Sequence, residues 1–167
     1  MKLYIKTILF SGMIALAGLS SCKKDNVSTE TSLPAIPVTV ENTTGNFLSP
    51  IVNTSLTNRT ITIILTIPSS SGRTIKEITR VAANTVYSSV QTTTGLYKTG
   101  AIAGNGTNSI TFTTTLDEYI SKGYTIPTAA QAGGAAAAFL TRYFFFMLTL
   151  DDGQIIIPTY VRVYVNP

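Results

Sequence analysis

The chain has no histidine and no tryptophan, a single cysteine, and charged residues at only 12 % of its 167 positions. Each shortage closes off a class of function. Without histidine the usual zinc ligand and the commonest general base are both missing. Neither a Ser/His/Asp nor a Cys/His nucleophilic site can be assembled. One cysteine excludes an intramolecular disulfide, so the fold must hold without covalent staples. The basic residues are scattered, which argues against a nucleic-acid partner. Missing tryptophan removes the largest aromatic platform for a sugar ring.

The N-terminus has the layout of a secretory signal. Lys2 and Lys6 supply the positive end, Ile8 to Leu19 is apolar apart from Ser11 and two glycines, and the small residues Ser20 and Ser21 precede Cys22. The apolar stretch is shorter than the roughly 20 residues a bilayer span needs, so cleavage is expected. Removing residues 1–21 leaves 146 residues, enough for one domain and a tether. Lys2 and Lys6 leave with the signal, so the net charge falls from +4 to +2. Part of the high pI and of the positive mean hydropathy therefore belongs to the signal.

Leu19-Ser20-Ser21-Cys22 resembles the bacterial lipobox. That resemblance implies lipidation of Cys22, cleavage just before it and acylation of the new amino group. Two or three acyl chains hold a protein stably where one holds it marginally. Lys23 stands where aspartate favours inner-membrane retention in enteric lipoproteins, so an outer-membrane location is implied. Ser21-Cys22-Lys23-Lys24-Asp25 is also similar to lipoproteins of Bacteroidota, many of which reach the cell surface.

Residues 22–35 are rich in Ser and Thr and read as a flexible tether. From residue 36 the pattern is that of half-buried strands. Ile36, Val38 and Val40 alternate with Pro37, Thr39 and Glu41; Ile61, Ile63, Leu65 and Ile67 with Thr60, Thr62, Ile64 and Thr66; and Ile110 and Phe112 with Ser109, Thr111 and Thr113. Ile75 to Ala83 is ambiguous, with apolar residues at 75, 78, 81 and 82 fitting a short helix and its Thr and Val content fitting a strand. Leu116 to Ile120 reads as one helical turn. Phe139–Leu150 and Gln154–Val165 read as a hairpin closed by Asp151-Asp152-Gly153, because Asp-Gly supplies the positive φ that tight turns need. Ile155, Ile157, Val161, Val163 and Val165 are expected on one face, with Tyr160, Arg162 and Tyr164 on the other. Pro158 marks an edge or a bulge. The apolar run Ala132 to Leu150 has the length of a membrane span, but Arg142 and Gly133-Gly134 speak for a buried strand.

These elements predict an all-β fold, an antiparallel immunoglobulin- or fibronectin-like β-sandwich over residues 36–167 with a C-terminal hairpin. Residues from about Gly95 to Val165 also resemble small Bacteroidota lipoproteins. The shared pattern is Leu116-Asp117-Glu118-Tyr119, Leu150-Asp151-Asp152-Gly153 and Val161-Arg162-Val163. Some proteins of that kind belong to glycan-uptake loci or to adhesion systems.

No catalytic constellation, metal site or cofactor is predicted. A glycosidase pair would have to come from Glu41, Glu77, Asp117, Glu118, Asp151 and Asp152. Asp151 and Asp152 read better as turn residues than as calcium ligands, and Asp117-Glu118 as capping the helical turn. Gly104-Asn105-Gly106 reads as a turn and lacks the tail of a phosphate loop. Tyr97, Tyr124, Tyr160, Arg162 and Tyr164 are the candidate ligand contacts, since a tyrosine offers an apolar body and a polar tip. The expected partners are the membrane, through the lipid anchor, and a glycan or protein. The role expected is a non-catalytic binding or accessory module, with strand addition to a protein partner as the alternative. Replacing Cys22 by serine is expected to leave an uncleaved precursor that takes up no lipid label. Normal lipid labelling of Cys22→Ser would contradict the anchor.

Overall fold

The computed structural model describes residues 35–44 and 49–167. The signal segment, Cys22 and all of the tether but Ala35 lie outside the described residues. Strand formation follows the alternation. β1 is Thr39–Val40, β2 Ile51–Ser55, β3 Thr60–Thr66, β4 Ile75–Asn84, β5 Ile102–Ala103, β6 Ser109–Thr115, β7 Tyr143–Leu150, β8 Ile155–Ile156 and β9 Arg162–Asn166. A single helical turn, α1, covers Leu116–Ser121 where it was expected.

Two layers result. The first is the antiparallel sheet β1-β3-β6, and the second is β5-β4-β7-β8, also antiparallel. In β3, Ile61, Ile63 and Leu65 point inward and are fully buried, opposite Thr114, Phe112 and Ile110 of β6. The outward positions pair Thr60 with Thr115, Thr62 with Thr113 and Thr66 with Ser109. This is the apolar-in, polar-out pattern of a sheet wet on one side. Phe112 reaches the second sheet, with ring centroids 5.8 Å from Phe144 and 5.3 Å from Phe146. The layers thus share one core, an all-β sandwich as the pattern predicted.

The ambiguous segment Ile75–Ala83 is strand β4. Ile75 opposes Leu150, Ile78 opposes Leu148, Val81 opposes Phe146 and Ala83 opposes Phe144. Register shifts lie between Ile75 and Glu77 and between Ile78 and Arg80. Each is a β-bulge, which places one extra residue on this strand. Two bulges turn a spacing of two into a spacing of three, and that imitates a helix period. Gly104 fits this edge because its amide lies 2.7 Å from the Lys76 carbonyl. A Cβ there would run into the Ile75 carbonyl.

The C-terminal hairpin forms with an interruption. Leu150 and Gln154 close its tip, and Gly153 takes φ of 86°. Leu148 and Thr149 pair with Ile156 and Ile155, and Phe144 then pairs with Val161. Between them residues 157–160 leave the ladder and the register slips by one, the irregularity that Pro158 signalled. A one-residue slip exchanges the faces. Ile155, expected inward with Val161, is therefore 60 % exposed, and Ile156 is buried in its place. β9 is no free edge, because β2 pairs with it in parallel from Ile51–Arg162 to Ser55–Asn166.

Among the described residues no helix is long and apolar enough to cross a membrane. Ala132 to Leu150 folds as a 3₁₀ turn over Ala135–Ala138 followed by β7. The hairpin register predicts opposite outcomes for neighbouring isoleucines. Ile156→Ala is expected to cost about 2–5 kcal/mol by denaturant unfolding, and Ile155→Ser to stay within about 0.5 kcal/mol.

Candidate functional site

β7 of the second sheet, together with β9, which pairs with β2 in a separate two-stranded sheet, carries a strip of aromatic side chains on the face turned away from the core. β7 sends Tyr143 and Phe145 to that face, and the returning chain sends Tyr160, Arg162 and Tyr164 beside them. Tyr143 and Tyr160 stack at 4.6 Å and 19°, and Phe145 lies 5.7 Å from Tyr160. Tyr87, from a 3₁₀ turn over Tyr87–Val90, meets Phe145 edge-on at 6.2 Å. At the other end Phe139 and Tyr164 meet edge-on at 5.0 Å.

Arg162 joins the two ends. Its guanidinium carbon stands 3.8 Å from the centroid of the Phe139 ring and 5.9 Å from that of Tyr143. A cation over an aromatic face is held by about 0.5–2 kcal/mol, depending on desolvation. Three ion pairs occur among the described residues, Arg59–Asp117, Arg73–Asp152 and Lys98–Glu118, and Arg162 enters none of them. Its Nε is buried without an acceptor. Tyr143, Tyr160, Arg162 and Tyr164 are all half-buried, so each keeps part of its surface in solvent.

Three of the five contacts expected from sequence, Tyr160, Arg162 and Tyr164, thus come together. Tyr97 does not. It is wholly buried, with its ring 5.2 Å from Phe144 and 6.4 Å from Phe112. Flanking Gly95 and Gly100 made it read as a loop tip. Instead the Tyr97 amide bonds to the Val81 carbonyl at 2.8 Å, which pins the segment to β4 and turns the ring inward. Tyr124 is half-buried, tilted against Tyr119 at 4.8 Å, and packs against the main core. It stands with Tyr97, apart from the strip. Phe139 and Tyr143 were not singled out as contacts. Their only signal is cross-strand pairing, and the Phe139–Tyr164 bridge stands two residues off the register of Phe144–Val161, so alignment of the hairpin alone does not give it.

Tyr97 has a structural role with its own chemistry. Thr114 Oγ1 donates to Glu118 Oε2 at 2.8 Å, so at 2.7 Å it accepts from the Tyr97 hydroxyl. Lys98 Nζ closes the relay on Glu118 Oε1 at 2.6 Å. The Thr115 hydroxyl caps α1 by accepting from the Glu118 amide at 3.0 Å. The capping residue is therefore Thr115, and Asp117 and Glu118 serve ion pairs. Burial opposes ionisation of Glu118. The bonds from Lys98 and Thr114 together outweigh it, and the carboxyl titrates below its ordinary range. Asp117 is likewise lowered by its bond from Arg59. The other carboxylates considered are engaged locally: Glu41 with Thr66, Glu77 with Thr79, Asp151 with the Thr74 amide and Asp152 with Arg73. Among the described residues no three acidic or cysteine side chains converge on a point where a metal ion would fit.

A second feature lies on the first sheet. β6 pairs with β3 on one side only. Ile67 N bonds to Asn108 O at 2.9 Å, which fixes the alternation, so the amides and carbonyls of Thr111 and Thr113 point to the open edge. A groove of about 250 Å³, lined by Gly104, Asn105, Thr107 and Ile110 among others, lies at the start of that edge.

Burial pushes the Tyr97 hydroxyl up to about 12, with the Thr114 bond opposing and the Glu118 charge adding to the rise. A phenol raised in the fold contributes stability that is intact below its ordinary value near 10. That contribution is lost as pH climbs toward 12. Urea unfolding is expected to show a fall in stability over pH 10–12 that is shallower in Tyr97→Phe, leaving the share of Tyr119, which burial also raises. At neutral pH Tyr97→Phe is expected to cost about 1 kcal/mol. No protein-family model, no curated protein and no solved structure matches this chain.

Proposed function

We propose that the chain is a non-catalytic lipoprotein of the outer membrane, held by lipid on Cys22 and turned toward the cell surface. Its β-sandwich serves as a binding or accessory module in glycan acquisition. The observation that supports this reading is the half-exposed strip Tyr143–Tyr160–Arg162–Phe139–Tyr164. Aromatic faces with a few polar groups among them are the lining of saccharide and other small-ligand sites. Tyr143, Arg162 and Tyr164 are carried on strands, and Tyr160 and Phe139 are held against them by ring contacts, so the strip's geometry is set before any ligand arrives.

The open edge of β6 favours a second reading, a structural or adhesive subunit that accepts a strand from a protein partner. Ser109–Thr115 has no charge, no proline and no bulge against β3. Those are the devices by which proteins usually protect an edge.

A glycan array probed with the full chain in detergent separates the two. Saccharide binding is expected, and Tyr160→Ala and Tyr164→Ala are each expected to weaken it by about 1 kcal/mol or more. Tyr124→Ala should leave it unchanged. Thr113→Pro removes only an edge-facing donor and should also leave it unchanged. A blank array, together with a co-purifying protein whose binding Thr113→Pro abolishes, would replace the first reading by the second.

A further inference from the structure

Among the described residues the strip holds Arg162 as its cation and no anion. Arg59, Arg73 and Lys98 have carboxylates at 2.6–3.0 Å. Arg162 instead has aromatic rings about its guanidinium and an Nε with no acceptor. Its neighbours on the outer face are Phe139, Tyr143, Tyr160 and Tyr164, joined from β2 by Asn53, which lies beside Tyr164. None of these carries negative charge. A guanidinium packed over a ring is partly ordered before binding, and its planar fork matches a carboxylate. Prior ordering lowers the entropy lost on binding.

From this arrangement we infer that the strip selects saccharides bearing a carboxylate, of the uronic-acid type. The inference rests on the reading of the strip as a glycan site. Arg162 takes the carboxylate through its outer N–H groups, while Tyr160 and Tyr164, two positions away on either side, receive the apolar faces of the sugar rings. Successive positions on one strand face lie about 7 Å apart, so consecutive sugars of one chain are read together. A neutral sugar would meet the tyrosines and leave the charge without a counterpart.

The test is calorimetric titration of the full chain in detergent with polygalacturonate, alginate and hyaluronan, each beside its carboxyl-reduced form. At least one acidic polymer is expected to bind at least ten times more tightly than its reduced counterpart. Arg162→Gln is expected to erase that difference, a loss of about ten- to a hundredfold in affinity. It should weaken binding of the reduced polymer far less, and the chain should still unfold in one cooperative transition, with its midpoint lowered only by the lost ring contacts. Arg162→Lys keeps the charge without the fork and is expected to restore only part of the preference. Equal binding of acidic and reduced forms would overturn the inference and leave the glycan reading standing. Binding of none of the six polymers would overturn the inference, and a blank glycan array beside it would remove the glycan reading as well.

Discussion

β7 carries aromatic side chains on both faces, and burying both is the requirement that shapes the rest of the domain. Phe144 and Phe146 face the sandwich core, while Phe145 faces the other way and is still only 2 % exposed. A fully buried side chain of this size contributes about 1.5–3 kcal/mol, so neither face can be left wet in a domain without disulfides. β3 and β6 cover the inner face. The outer face has no second sheet and is covered by single side chains, Val90 and Tyr87 from one connection and Ile157 and Tyr160 from another. These form a small second cluster with Ala82, Phe145 and Met147. The strip around Arg162 is where that cover thins toward solvent.

Much of the sandwich was legible because its first sheet is wet on one side. Ile61, Ile63 and Leu65 alternate with Thr60, Thr62, Ile64 and Thr66, and alternation is what such a strand displays. β7 was legible for the opposite reason: an unbroken apolar run bounded by turn residues fits a strand buried on both faces, and Arg142 weighed against a membrane span. β4 could not be read, because bulges at Ile75/Glu77 and Ile78/Arg80 moved its core residues to helical spacing. A bulge is a property of the pairing with Leu148 and Met147, and one strand's sequence does not contain it. The face of Ile155 was misplaced for the same reason. Pro158 announced an irregularity, but its consequence, a one-residue slip, depends on where Val161 rejoins Phe144.

The site was legible in part. Tyr160, Arg162 and Tyr164 are a period-two set, so their common face followed from sequence. Phe139 and Tyr143 join them only through cross-strand pairing. Tyr97 was misjudged because Gly95 and Gly100 look like loop signals, whereas the segment crosses β4 and drops its ring beside Phe144 and Phe112. Its hydroxyl is tolerated there because Thr114 and Glu118 complete the hydrogen bonds that burial would otherwise leave unmade. The polar relay and the aromatic strip thus divide the tyrosines. Tyr97 and Tyr119 tie α1 and its neighbours into the core, and Tyr160 and Tyr164 remain available at the surface.

The proposed ligand face, the strip around Arg162 on β9, and the open edge of β6 can be told apart in one experiment. Arginine-resolved and backbone NMR of the full chain in detergent micelles, with and without oligogalacturonate, separates them most directly. The Arg162 Nε–H resonance is expected to shift on titration, together with the backbone amides of Phe139, Tyr143, Tyr160 and Tyr164, while those of Thr111 and Thr113 stay in place. Shifts confined to Thr111 and Thr113, with Arg162 unmoved, would contradict the proposed ligand face.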